Sequence, residues 1–151
     1  MFNRLALIGC GLMGGSLALA MQRARLVRHI VAYSPNPQTL QQAQDMGVIH
    51  AATNCPADAV TQADLVVVAV PVAASEKVFL AIADSLSEHA IVTDVGSTKQ
   101  NVIEAAETAF GPRIGQFVPA HPIAGKEVAG IAYADADLYR GKQVILTPTR
   151  S

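Results

Sequence analysis

The stretch "RLALIGCGLMGGSLALAM", residues 4–21, decides the fold. A short apolar run, "RLALI" (4–8), meets a cluster of glycines, and a second apolar run of helical length follows at once. The order is strand, turn, helix, and within the turn Gly9, Gly11 and Gly14 of "GCGLMG" stand in G-x-G-x-x-G spacing. In that context the spacing marks a turn built to hold a dinucleotide. Gly9 would permit the tight turn, Gly11 would let the backbone approach a pyrophosphate, and Gly14 would let the helix pack closely on the strand. The helix N-terminus would add its N–H groups and positive dipole end. The competing reading is a glycine-rich turn that only packs tightly. A signal peptide is disfavoured, because the glycines interrupt any apolar h-region and Arg4 alone is a thin basic flank.

Outward from this unit, short β-branched runs alternate with stretches of helical period, which predicts an α/β fold with a mostly parallel, doubly wound sheet and helices on both faces. The predicted strands are "RLALI" (4–8), "HIVAY" (29–33), "LVVVAV" (65–70), "AIVTDV" (90–95), "QFVPA" (116–120) and "QVILT" (143–147). "LVVVAV" has no polar positions, as befits a central parallel strand covered on both faces. Val78, Phe79, Ile82 and Leu86 recur with helical spacing, as do Val102, Ile103, Ala106 and Phe110. A further helix is expected from near Pro37, suited to a first helical turn, to near Gly47, a C-terminal stop. A short helix is expected within residues 130–141.

With 151 residues, 51% of them hydrophobic and 15% charged, the chain suits one domain with a real core. Eleven basic residues balance twelve acidic ones without a basic run, which argues against nucleic acid or an anionic membrane as partner and for a small-molecule ligand. Two cysteines, Cys10 and Cys55, make no disulfide scaffold or metal motif, so a reducing cytoplasmic setting is expected. No uninterrupted apolar run reaches the roughly 18 residues that cross a bilayer.

Four further features carry chemistry. The second strand ends in Ser34, Pro35 and Asn36, where an NAD-binding fold places an acidic residue for the ribose 2′-hydroxyl. Without that carboxylate a 2′-phosphate is not repelled, which leaves NAD or NADP open with a lean to NADP. The phosphate's cationic partner would have to be Arg23, Arg25 or Arg28; the alternative is an ordinary solvated turn. "AVPV" (69–72) ends another strand on the same edge, where Val70 and Pro71 would form an apolar wall for a nicotinamide, unless Pro71 only starts a helix. "DVGSTK" (94–99) places Ser97, Thr98 and Lys99 at a strand's carboxyl end, where doubly wound sheets bind ligands; either hydroxyl could instead be a helix cap. In "AHPIAG" (120–125), Pro122 biases His121 toward extended angles and Pro119 stiffens the approach. An imidazole, with a pKa of about 6.5, can accept a proton at neutral pH. His29, His50 and His89 lack this framing.

In this order, the glycine turn, "AVPV", "DVGSTK" and "HPIAG" resemble the prephenate and arogenate dehydrogenases of tyrosine biosynthesis, and the likeness runs from residue 4 to about residue 147. The resemblance implies a Rossmann-type domain over residues 1–151, with the relatives' helical dimerisation and substrate domain expected to be missing after it. It also implies NAD(P)-dependent oxidative decarboxylation of prephenate or arogenate, catalysed with His121 as proton acceptor and Ser97 as its hydrogen-bonding partner. Cofactor contacts would come from Gly9, Cys10, Gly11, Leu12, Met13, Gly14, Ser34, Asn36, Val70 and Pro71, and substrate contacts from Lys99 and Gly125. No metal is expected, and full-length relatives are expected to be homodimers. The alternatives are another dehydrogenase of the 6-phosphogluconate-dehydrogenase-like group, acting on β-hydroxyacids, or a stand-alone NAD(P)-sensing module. Lys126 before Glu127 departs from the family's pattern.

Overall fold

A computed structural model describes residues 1–95, 99–122, 130–141 and 144–146. The chain runs β1 (Phe2–Ile8), α1 (Leu12–Arg23), β2 (Val27–Tyr33), α2 (Pro37–Asp45), β3 (Ala51–Thr53), α3 (Pro56–Val60), β4 (Leu65–Val68), α4 (Val72–Ala83), β5 (Ile91–Asp94), α5 (Lys99–Phe110), β6 (Phe117–Val118), β7 (Ala120–Pro122) and β8 (Val144–Leu146). Short 3-10 turns, Gly111–Gln116 and Ile131–Tyr133, precede β6 and follow β7.

Six strands form one parallel sheet in the order β3-β2-β1-β4-β5-β6. The order reverses between β1 and β4, so α1 and α2 return over one face while α3, α4 and α5 return over the other. Alternation along each strand sorts the core accordingly. Leu5, Leu7, Ile30, Ala32 and Val67 pack with Ala18 and Met21 of α1 and Leu40 and Ala43 of α2. Ala6, Ile8, Val31, Val66, Val68, Val92 and Phe117 pack with α3, α4 and α5. All four residues of β4 are buried, as expected for a strand covered twice.

The expected doubly wound sheet with helices on both faces is observed, with five differences in detail. The predicted strand 65–70 stops at Val68, because Pro71 has no N–H to extend the ladder and instead starts α4 as its N-cap residue. The predicted strand 116–120 is broken at Pro119 for the same reason: Phe117 and Val118 pair with β5, while Ala120–Pro122 leaves to pair antiparallel with β8. Of the strand predicted at 143–147, the described residues Val144–Leu146 are therefore in a second, two-stranded sheet rather than in the main one. β3 and α3 were not foreseen; an Ala-Ala-Thr strand of three residues carries no β-branched run to reveal it.

The helix expected within 130–141 is only the 3-10 turn Ile131–Tyr133. Asp135 then accepts a hydrogen bond at Oδ1 from the Asp137 N–H at 2.9 Å, a local bond that competes with helix formation. By contrast, α2 starts at Pro37 behind an Asn36 cap whose side chain accepts from the Gln38 N–H, and it ends before Gly47 at φ +76°.

Phe79 of α4 is fully buried, with its ring 5.3 Å from both Phe110 of α5 and Phe117 of β6. This trio holds α4, α5 and the sheet edge together. Replacing Phe79 with Ala is expected to cost about 3–5 kcal/mol, measured as the loss of unfolding free energy in urea.

Candidate functional site

The site starts where β1 and β4 end side by side. A Cβ on Gly9 would lie 2.4 Å from the Ala69 carbonyl oxygen, and Gly9 has φ +94°, so two independent constraints demand glycine there. Gly14 is equally confined, its absent Cβ falling 2.8 Å from the Gly9 oxygen and 2.9 Å from Ala69 Cβ. A Cβ on Gly11 would meet nothing within 4 Å, so the freedom at that position lies on the open side of the turn. Gly11 is the N-cap of α1 and has no side chain with which to close it. The first N–H groups of the helix therefore have no capping side chain, the arrangement that suits an anion.

From this turn a cleft of about 490 Å³ runs across the carboxyl ends of β1, β2 and β4. Gly9, Cys10 and Gly11 form its floor, Tyr33, Ser34, Pro35 and Thr39 one side, and Ala69, Val70, Pro71, Ala74 and Val78 the other. Its size and mainly apolar lining are those of a small-molecule site. Among the described lining residues Lys77 of α4 is the one charged side chain, and none of them is a carboxylate. Cys10 is buried, which pushes its thiol up to about 11 and keeps it protonated at neutral pH.

Several expected site residues line this cleft: Gly9, Cys10, Gly11, Ser34, Val70 and Pro71. Leu12, Met13 and Gly14 stand behind it in the first turn of α1, where any contact would be through backbone. Asn36 does not line the cleft; its side chain caps α2 and its N–H donates to Ser34 Oγ at 3.3 Å. The three arginines considered for a 2′-phosphate are at the wrong edge of the sheet. Arg23 ends α1 and pairs with Asp137 at 2.5 Å, Arg25 lies in the turn after it, and Arg28 is the second residue of β2. Along an extended strand, six residues separate Arg28 from Ser34 by about 20 Å. Sequence reasoning missed Lys77, because α4 comes into range only through the parallel crossover.

It also missed what closes the cleft's end. Gly130 and Ile131 line it, and the segment through Arg140 crosses α1. A Cβ on Gly15 would lie 2.5 Å from Ile131 Cδ1. The Asp135 N–H donates to Ser16 Oγ at 2.9 Å, and the Tyr139 hydroxyl donates to the Met13 carbonyl at 2.7 Å. Burial pushes the Tyr139 hydroxyl up to about 12, so it stays a donor at physiological pH.

Beside the cleft, β5 ends in Asp94, which is 3% exposed. Its carboxylate is paired with the Lys99 ammonium and accepts from the Ala120 N–H at 3.1 Å. Lys99 is thus engaged within the protein. His121 lies in β7, paired with Ile145, and β7 lies against β5. Ser97 and Gly125 lie outside the described residues. Of the other histidines, His29 and His50 stack at 5.1 Å, and His50 Nδ1 accepts from the Ile30 N–H. Partial burial, with lesser contributions from His50 and Arg4, holds His29 below its ordinary pKa. Both are near the start of β2 or beside it, remote from Ser34. Among the described residues no three His, Cys, Asp or Glu side chains cluster as a metal site, and no helix is long and apolar enough to cross a membrane.

A parallel sheet with a glycine turn at its switch point and a cleft over the carboxyl ends defines a dinucleotide-binding domain. The chain belongs to the family described as prephenate dehydrogenase, nucleotide-binding domain, whose model matches residues 17–151. It is 35% identical over 149 residues to the prephenate dehydrogenase of Bacillus subtilis, covering 98% of this chain and 40% of that protein. The cyclohexadienyl dehydrogenase of Zymomonas mobilis is 35% identical over 97% of this chain and 50% of its own length. A crystal structure of prephenate dehydrogenase from A. aeolicus, in complex with hydroxyphenyl propionate and NAD+, superposes with a TM-score of 0.90 at 35% identity, covering 99% of this chain and 52% of that one. A Synechocystis arogenate dehydrogenase superposes at 0.87 with 28% identity over 97% and 50%. The chain spans about half or less of the length of these relatives.

Two outcomes test this geometry. Gly9→Ala is expected to lose about 3 kcal/mol of unfolding free energy, from the crowded Cβ and the left-handed backbone together. At pH 8 a thiol reagent is expected to modify one cysteine, the partly exposed Cys55, in the native chain and both after unfolding, as read by mass spectrometry.

Proposed function

We propose that residues 1–151 are the NAD(P)-binding domain of a prephenate or arogenate dehydrogenase. The observation that carries this reading is the cleft itself: an uncapped helix N-terminus at a glycine turn, opening onto apolar walls, with the strand of His121 beside it. These residues suit a dinucleotide, since Gly11 leaves its open side clear and the cleft has room for a nucleoside. The bound nicotinamide would supply the hydride acceptor.

The remaining work falls to the chain's own residues. The first-turn N–H groups of Leu12 and Met13 hold the pyrophosphate, while Val70 and Pro71 present an apolar wall to the nicotinamide. His121 takes the proton of the substrate's ring hydroxyl as hydride leaves the same carbon. The ring carboxylate then departs as carbon dioxide, its bonding electrons complete the aromatic ring, and the phenolate oxygen so formed takes the proton back from His121. Ser97 hydrogen-bonds the same hydroxyl or orients the imidazole. Aromatisation drives the reaction, so alignment and proton management are the protein's main contributions. Substrate contacts from a further helical domain, association of two copies and a cytoplasmic setting belong to the same proposal, as does the lean to NADP. That lean is supported by Ser34 in place of a carboxylate and by Lys77 on the opposite wall.

Fluorescence titration of the chain with NADH and NADPH tests binding. Both are expected to bind; Ser34→Asp should weaken NADPH selectively, and Lys77→Gln should weaken NADPH by up to about fivefold while sparing NADH. Failure of both dinucleotides to bind would refute the proposal. In a form of the protein that turns over prephenate, His121→Ala should lower kcat by about 10²–10⁴. Unchanged turnover would remove His121 from the mechanism.

A further inference from the structure

We infer that Asp94 is a positioning residue for the reaction, clamping the strand that carries His121 to the carboxyl end of β5, with Lys99 as its counter-ion. The inference rests on the proposed role of His121. Among the described residues Asp94 is the one carboxylate buried in the core. A buried carboxylate is costly unless its oxygens are satisfied by charge and hydrogen bonds. Here the two oxygens have separate duties: Oδ1 accepts from the Ala120 N–H, and Oδ2 pairs with the Lys99 ammonium.

The position of the Ala120 bond gives it meaning. Pro119 has no N–H, so β6 cannot continue its ladder with β5, and the chain leaves the main sheet there. The first N–H after the proline belongs to Ala120, and the side chain of Asp94 takes it where a strand carbonyl otherwise would. That bond falls one residue before His121. Lys99, the first residue of α5, has a side chain only 14% exposed. One carboxylate thus joins the end of β5, the start of α5 and the start of β7. Lys99 serves this clamp rather than the substrate, and its removal acts through Asp94.

Four variants separate the two duties. Asp94→Ala loses both, Asp94→Asn keeps an acceptor for Ala120 without the charge, Lys99→Met strands the carboxylate, and Asp94→Asn with Lys99→Met removes both charges. Three quantities are read in each: hydrogen exchange of the Ala120 amide by NMR, NADH affinity by fluorescence, and kcat and KM in a form that turns over prephenate. In Asp94→Ala the Ala120 amide is expected to exchange about tenfold faster or more, with the Leu7 amide of β1 unchanged. NADH affinity should stay within about twofold of the parent, and kcat should fall about tenfold or more with little change in KM. Asp94→Asn should be milder, and the double variant should recover part of the loss in Lys99→Met. The clamp is overturned by an Ala120 amide as protected in Asp94→Ala as in the parent, or by equal losses of NADH affinity and kcat. A parent that binds NADH but never oxidises prephenate would refute the proposed function, while the exchange and affinity measurements would still decide the clamp. If Asp94→Ala does not fold, Asp94→Leu with Lys99→Met removes the acceptor and both charges together, and its Ala120 exchange, NADH affinity and kcat give the decision.

Discussion

The contact on which the structure depends is the approach of β1 to β4 at Gly9 and Ala69. Two parallel strands lie side by side, and their chains must depart to opposite faces of the sheet, α1 to one and α4 to the other. At the point of departure the Ala69 carbonyl lies where a Cβ of residue 9 would be, at 2.4 Å. A side chain there would pry the strands apart at the place where they must be closest. The crevice between the two departing helices is the ligand cleft, so the constraint that closes the core also opens the site.

A second close approach, at Gly15, depends on the first. Because Gly9 and Gly14 let α1 lie low on the sheet, Ile131 can reach over its first turn and fill the space a Cβ of Gly15 would occupy. Ile131 belongs both to the core beneath α1 and to the lining of the cleft. The hydrogen bonds of Asp135 to Ser16 and of Tyr139 to Met13 then hold the segment on polar terms, satisfying groups that would otherwise be desolvated without a partner. The glycine cluster therefore serves two surfaces: one turned toward the cleft, the other toward residues 131–139.

How much of this was legible in the sequence follows from which interactions are local. The β1 turn α1 unit could be read outright, since glycine spacing and hydrophobic period both act within about fifteen residues. The long strands and α4 and α5 could be read from periodicity for the same reason. β3 and α3 could not, being three and five residues long and held mainly by pairing with β2 and by burial against its neighbours. In the sequence Pro119 stiffens the approach to His121; that it also divides one apolar run between two sheets depends on where β8 lies. Within the site, the glycines, Ser34, Val70 and Pro71 declared themselves through turn chemistry at strand ends. Lys77 and Ile131 did not, for each reaches the cleft from an element brought there only by the crossover or the returning chain. Asp94 heads a legible motif, but its own part is not legible, because a carboxylate at a strand end reads as solvated until the burial around it is known.

The cleft's electrostatics follow from the same geometry. Its walls are mainly apolar, its floor is backbone, and the one charged side chain among its described lining residues, Lys77, stands exposed on α4. An exposed ammonium beside a phosphate contributes about 0–1 kcal/mol, at most a factor of about five in affinity. A carboxylate at the position of Ser34 would act differently, since it would hydrogen-bond a ribose hydroxyl and repel a phosphate at once. On the proposed reading, cofactor choice in this domain is therefore shallow and set more by a missing anion than by a present cation. The binding energy must come chiefly from the glycine turn and the apolar walls, which touch the parts that NAD and NADP share.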